Sequence, residues 1–417
     1  MTVTDENVET LEAFGARARA WIEANLPSWD DEEVASLELQ HLLFDNGFAG
    51  IAFPREYGGA GLTLQHQKVF FDTAAELHRQ VPSAFMVSIG MMAPTILDHG
   101  SHEAKLRFLP KALRGDETWM QLLSEPRGGS DMAGTTTRLT RDGDTYVLNG
   151  AKMWSSGAYE STYGLCLCRN DWDAPKHRGL SMIAVPLAAD LPGVHIERTR
   201  AANGNLGEFC QEFFDDVPLP LENLIGEESK GWAVAQTLLF HERNAVANIG
   251  HGYLGRTASR DGAARSGYGV MGVPQLLDRA KARGEDAIAR QKIADVFIEE
   301  TVLGLTSSRI MTGLRVGSHQ GQWGSMIKLQ GAVAGHEKAR IGLIVSGADG
   351  VIWDGDDVRI DNPGTSWLGC RGGTLAGGSN EMQRNIVSER LLGLPREPSF
   401  DRDLPFNEVI RNQGKFS

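Results

Sequence analysis

Through residues 5–118, apolar residues recur every three or four positions, as in VETLEAFGARARAWIEANLP and EVASLELQHLLFDNGF. That period predicts amphipathic helices, the first of them stopping at Pro27. SHEAKLRFLPKALRGD predicts another helix and a turn. From Thr118 to about Glu222 the pattern shifts to short alternating segments broken by turn residues. TTTRLTRDGDTYVLNG predicts a β-hairpin turning at Asp142-Gly143, and GLSMIAVPL, VHIERTR and FCQEFFDDV predict further strands. From Lys230 to about Leu394 the helical period returns in long runs, including AIARQKIADVFIEETVLGLTSSRIM and SMIKLQGAVAGHEKARIGLIVSGADGV. The last helix starts in GGSNEMQRNIVSERLLGLP, with Ser379 or Asn380 as its cap, Gly393 at its end and Pro395 beyond. The expected class is therefore α+β: a helical domain over 1–118, a mostly antiparallel β domain over 119–225, a helical bundle over 226–395 and a tail over 396–417.

One position breaks the pattern. In QTLLFHERNAVANI, Leu238, Leu239, Val246 and Ile249 share a helix face, and Glu242 sits midway along it. A carboxylate on the face a helix buries is either a satisfied core charge, paired with Arg243 or another cation, or a desolvated group with chemistry to perform.

Composition narrows the function. With 417 residues the chain has length for two or three domains. A formal net charge of −13 repels phosphate backbones, which argues against nucleic acid as a partner while leaving room for a local basic pocket. No apolar run is long enough to span a membrane, and the acidic N-terminus lacks the basic-then-apolar order of a secretory signal, so a cytoplasmic protein is expected. Four cysteines are too few for a disulfide scaffold; Cys166 and Cys168 alternate in YGLCLCRN and are expected on one face of a strand, reduced. No second His follows any His-Glu pair at metal-ligand spacing, so no metal is expected.

Three segments carry candidate chemistry. QLLSEPRGGSD runs from a strand into a turn that exposes backbone N–H groups and a hydroxyl; its bland reading is a surface turn. NGAKMWSSGA places a Trp and two hydroxyls at a strand end, suited to a flat cofactor; its bland reading is Trp154 as a core anchor. GTLAGGSNEMQR is a glycine-rich entry to a helix, suited to a phosphate or else simply a flexible loop.

In this order and spacing, FPREYGG, SEPRGGSD, NGAKMWSSGA and GGSNEMQRNIVSERLLGLP resemble the acyl-CoA dehydrogenase family over about residues 8–395. The resemblance implies an N-terminal helical domain, a middle β domain and a C-terminal four-helix bundle, with FAD as cofactor and an acyl-CoA as substrate. It implies flavin-ring contacts from Gln121, Leu123 and Ser124, Trp154 over one flavin face, and Ser156 near N5. It implies Ser130 near the thioester and CoA, and Ser379 and Glu381 at the FAD phosphates.

The chain departs from the family pattern twice. Where most members carry Tyr-Glu-Gly-Thr with Glu as base, this chain reads Ala376-Gly377-Gly378-Ser379, so Gly377 leaves space beside the substrate instead of a base. A minority of the family carries the base in a Glu-Arg pair on an earlier helix, which FHERNA matches. The resemblance thus implies Glu242 as base, with Arg243 ordering substrate or carboxylate. Second, the Arg-x-x-Phe-Gly segment that reaches a neighbouring subunit's FAD is degraded in RSGYGVMGVPQLLDRAKARGEDAIARQKIAD, and VSGADGV replaces a later glycine-rich segment. In this the chain resembles subunits of actinobacterial heteromeric acyl-CoA dehydrogenases that act on steroid side chains. The expected activity is α,β-dehydrogenation of a bulky acyl-CoA to the trans-2-enoyl-CoA, with electrons passing to an electron-transfer flavoprotein. The expected assembly is a homo-oligomer or an α2β2 heterotetramer with a second acyl-CoA dehydrogenase-like subunit. A non-catalytic subunit of such a heteromer, and a flavin oxidase or monooxygenase, are the alternatives.

Overall fold

The computed structural model describes residues 9–29, 31, 36–82, 85–188, 191–202, 204, 206–246, 271–284, 286–319, 321–352, 362–399 and 401–412. The chain divides into two compact units, one of Met1–Arg198, Glu208–Gly262 and Ser399–Ser417, the other of Thr199–Gly207 and Ala263–Pro398.

In the first unit, helices α1 (Leu11–Asn25), α2 (Ser36–Asp45), α3 (Leu64–Glu76), α4 (Ala93–His99) and α5 (His102–Arg114) precede the strands. The Thr10 hydroxyl caps α1 and the Ser101 hydroxyl caps α5, each accepting from a backbone N–H three residues on. Phe14, Ile22, Phe48 and Phe70 close a core among α1, α3 and the loop after α2. A π-helical turn, Ser88–Met92, leads into α4, and its Ser88 hydroxyl accepts from the Trp119 N–H at 2.8 Å.

The sheet follows with β1 (Trp119–Leu122), β2 (Arg138–Asp142), β3 (Thr145–Ser156), β4 (Tyr163–Arg169), β5 (Leu180–Pro186), β6 (Val194–Arg200) and β7 (Leu206–Pro220). The strand order is β1-β4-β2-β3-β7-β6, with β5 paired to β4. β2–β3, β3–β7 and β4–β5 are antiparallel, and β1 runs parallel to β4. The Asp142-Gly143 hairpin forms as expected, with Gly143 at φ +57° as the turn requires. β4 is buried on both faces. Leu165 and Leu167 join the core shared with the helices, while Cys166 and Cys168 join the core of the opposite face. All four cysteines are free and buried, and burial pushes the Cys166 thiol up to about 12. These thiols pack as small hydrophobes.

Helix α6 (Gly231–Val246) completes this unit's helical layer, with Val234, Ala235 and Leu238 fully buried against the π-helical turn, α4 and β5. Ile249, the far end of the expected stripe, lies outside the described residues.

The second unit is helical: α7 (Val273–Ala282), α8 (Ala287–Arg315), α9 (Gly324–Ser346), α10 (Pro363–Gly369), α11 (Arg371–Leu375) and α12 (Asn380–Ile386). Leu276, Ile293, Val296, Ile341 and Val345 form the core of α7, α8 and α9. Ser379 is the cap of α12, and a π-helical turn, Val387–Leu391, extends that helix to Gly393 at φ +68°. A last helix, α13 (Phe406–Asn412), returns to the first unit. Among the described residues, no helix is long and apolar enough to cross a membrane.

Candidate active site

Glu242 lies one turn beyond the fully buried Leu238 on α6, and Ala245, one turn further, packs on the same core. Two contacts fix this end of the helix against α4: His241 meets Asp98 at 3.0 Å, and His99 Nε2 meets the Thr237 hydroxyl at 2.7 Å. Glu242 is half-buried. Desolvation raises its carboxyl above the ordinary carboxylate range, outweighing the charge of Arg243 and a hydrogen bond with the Gln121 side chain, both of which favour the ionised form. Gln121 stands on β1, one residue before the strand ends. Its Oε1 is buried with no hydrogen-bond partner among the described residues, which leaves the amide an acceptor beside Glu242. Arg243 itself is exposed.

Beyond β1 the chain enters Leu123-Ser124-Glu125. The Ser124 carbonyl accepts from Met153 N–H at 3.0 Å, which binds this segment to the end of β3. A buried ion pair reinforces the junction: Lys152 Nζ lies 2.9 Å from Glu125 Oε1 and also donates to the Leu123 carbonyl. Burial alone would raise the Glu125 carboxyl, but Lys152 and hydrogen bonds from Thr136 and Thr137 overcome it and hold the group at about 2. Neither Glu125 nor Lys152 was expected as a site residue. A Glu and a Lys 27 residues apart in sequence carry no local signal of pairing.

Trp154 follows directly. A register shift between Met153 and Ser155 marks a bulge in β3, and Trp154 takes φ +69° there. For a bulky residue that backbone conformation costs about 1–3 kcal/mol. The bulge turns the indole outward, leaving it 54% exposed with an edge contact to Phe209, 5.9 Å between ring centroids. Trp154 is therefore no core anchor. Its neighbour Ser155 points the other way and donates to the fully buried Glu212 at 3.0 Å. Burial raises the Glu212 carboxyl to about 7, against the lowering effects of Ser155 and Lys152. Ser156, half-buried, ends the strand. Ser130 is exposed in the turn after Gly128-Gly129.

The first unit thus brings together Gln121, Leu123, Ser124, Trp154, Ser156 and Glu242 at one end of β1 and β3. The second unit gathers Gly377, Ser379 and Glu381 at the start of α12. Gly377 and Gly378 adopt φ +63° and +84°, and the Gln383 side chain donates to both carbonyls. A Cβ at Gly377 would meet nothing within 4 Å. The Ser379 hydroxyl accepts from Met382 N–H, and the exposed Glu381 carboxylate is held low by hydrogen bonds from its own N–H and from Ser379.

Three family models match the chain in order: the acyl-CoA dehydrogenase N-terminal domain at residues 4–116, the middle domain at 121–217 and the C-terminal domain at 229–392. Acyl-CoA dehydrogenase IpdE1 of Mycobacterium tuberculosis is 29% identical, over 94% of this chain and 99% of its own length. Acyl-CoA dehydrogenase FadE26 of the same organism is 30% identical, over 84% and 86%. Among solved structures, the Tcur3481-Tcur3483 steroid acyl-CoA dehydrogenase matches with TM-score 0.68 at 26% identity, over 93% of this chain and 98% of that one. The ChsE4-ChsE5 complex from Mycobacterium tuberculosis matches with TM-score 0.65 at 26% identity, over 95% and 100%. With its helical, β and helical domains in that order, the chain belongs to the acyl-CoA dehydrogenase family of flavoprotein oxidoreductases.

Proposed function

We propose that this chain is the catalytic subunit of a FAD-dependent dehydrogenase acting on a bulky acyl-CoA, with Glu242 as the base. The observation that carries the reading is the Glu242 carboxyl: half-buried, raised by desolvation and hydrogen-bonded to Gln121, whose strand runs into the Ser124–Met153 junction. Desolvation makes it a stronger base than a surface carboxylate, and Gly377 presents no rival side chain at the commoner base position.

The residues present fit a flavin. Trp154 offers an exposed aromatic face on a strained bulge, and Gln121 Oε1 is a buried acceptor with no partner among the described residues. Gln121, Leu123, Ser124, Trp154 and Ser156 would hold the ring system, and Ser379 and Glu381 the phosphate region. When bound, FAD supplies the two-electron acceptor for the β-hydrogen, and an electron-transfer flavoprotein is the proposed next carrier. Glu242 takes the α-proton onto its carboxylate. Arg243 favours the ionised form of that carboxylate, Ser130 orients the thioester arm, and Gly377 leaves volume for a bulky acyl group.

Relatives support the substrate class and the assembly. One structural neighbour is titled a steroid acyl-CoA dehydrogenase, and two are named as pairs of chains. By analogy, we infer an α2β2 heterotetramer with a second acyl-CoA dehydrogenase-like subunit.

The test is Glu242→Gln in the flavin-loaded complex, mixed anaerobically with a panel of linear and bulky acyl-CoAs. Flavin content is expected to stay and bleaching to disappear. Full-speed bleaching by this variant would remove Glu242 from the mechanism. In the parent protein, bleaching should slow as pH falls through a value above the ordinary carboxylate range, because the base must be ionised.

A further inference from the structure

Residues 401–412 pack on the loop that follows β4. Phe406 N–H donates to the Ala174 carbonyl at 3.1 Å, Asn407 N–H to the Trp172 carbonyl at 2.9 Å, and Pro405 bridges to Pro175. The Phe406 ring is 2% exposed.

Two buried cations connect this segment to residues 130–137. Lys176 Nζ lies between two carboxylates, Asp401 at 2.6 Å and Asp131 at 2.7 Å. Arg169 is fully buried, with its guanidinium carbon 3.5 Å from the Phe406 ring centroid. Its Nη2 donates to the Ala133 carbonyl at 2.7 Å and its Nε to the Thr135 carbonyl at 3.0 Å. The other end of the same stretch, Thr136 and Thr137, donates to Glu125, the partner of Lys152. The loop carrying Ser130 is therefore held by the junction beside β3 at one end and by the C-terminal segment at the other.

We propose that residues 401–412 are a positioning strap for the substrate loop: Asp401 and Phe406 fix Lys176 and Arg169, and these fix residues 130–137 so that Ser130 can meet the acyl-CoA arm. The proposal rests on the function inferred above for Ser130. None of Asp401, Phe406, Lys176 and Arg169 touches the reacting atoms. Each acts through the loop.

The experiment uses the purified flavin-loaded complex with Asp401→Asn, Phe406→Ala or a stop after Pro398. KM for acyl-CoA is expected to rise about tenfold with kcat within about twofold, because a displaced binding group weakens association more than chemistry. Asp401→Glu and Phe406→Tyr should restore most of the KM. Hydrogen exchange at amides 131–137 should quicken in Asp401→Asn while flavin content and melting temperature hold, which keeps the test readable where Phe406→Ala loses stability or the truncated chain fails to fold. Unchanged exchange at those amides, or an unchanged KM in both point variants, overturns the strap. A parent complex that no acyl-CoA bleaches overturns the proposed function instead, and the exchange result still decides whether the segment fixes the loop.

Discussion

Glu212 is the sharpest single-residue case. Its carboxyl is fully buried, its Oε1 has no partner among the described residues, and burial raises it to about 7 when folded against 4.5 for a free side chain. The folded state then holds a proton that the unfolded chain has lost across that interval. Stability must fall as pH rises from about 4.5 to about 7 and stay lower beyond it, by about 3 kcal/mol in all. Glu212→Gln removes this penalty. Thermal melts at pH 5 and pH 8 should show little difference at the lower pH and a more stable variant at the higher; equal melting temperatures at both would mean the group is solvated or paired. Trp154→Ala is the second residue-scale case. Losing the exposed indole should weaken flavin binding by about 1–3 kcal/mol without lowering the melting temperature of the apoprotein. An unchanged flavin dissociation constant would remove Trp154 from the cofactor site.

At the scale of elements, the turn after β1 and the end of β3 are joined by Lys152 and Glu125. Lys152 is fully buried, so Lys152→Met leaves the Glu125 carboxylate without its cation. The expected cost is about 3–5 kcal/mol, read from denaturant unfolding. A cost below about 1 kcal/mol would mean that the hydrogen bonds from Thr136 and Thr137 suffice. Sequence foretold elements better than junctions. The Asp142-Gly143 turn, the Ser379 cap and the twin cysteines of β4 follow from local chemistry, since each is fixed by two or three adjacent residues. Glu242 was visible because a charge interrupts an apolar stripe. Lys152–Glu125, Ser155–Glu212 and Lys176–Asp401 join residues 27, 57 and 225 apart, and no local pattern announces them. The exposure of Trp154 was hidden for another reason: the bulge that turns it outward depends on β7, far along the chain.

For the whole molecule, the informative surface is α8. Ile298, Val302 and Leu305 lie on one stripe of that helix and are 57%, 47% and 67% exposed. A stripe of this kind on an isolated chain is the signature of a subunit contact. Under the proposed heteromeric assembly, the double change Ile298→Glu with Leu305→Glu should convert the complex into smaller species by size-exclusion chromatography with light scattering. An unaltered complex would move the contact elsewhere. Expressed alone, the chain should hold FAD poorly, and with its partner the complex should carry about half a flavin per chain. One tightly bound FAD per chain in a homo-oligomer would refute the mixed assembly. Arg279 and Arg290 would then be the first candidates for the phosphate contact, along with Arg265, which lies outside the described residues.

The outward indole of Trp154 also gives the protein an optical gauge. A half-exposed tryptophan emits at longer wavelength than a sealed one such as Trp119, which is 1% exposed. The flavin absorbs in the band where indoles emit, so a ring stacked on Trp154 would drain that red-edge light first. Loading could then be followed from the protein's own glow, with Trp154→Phe as the dark control.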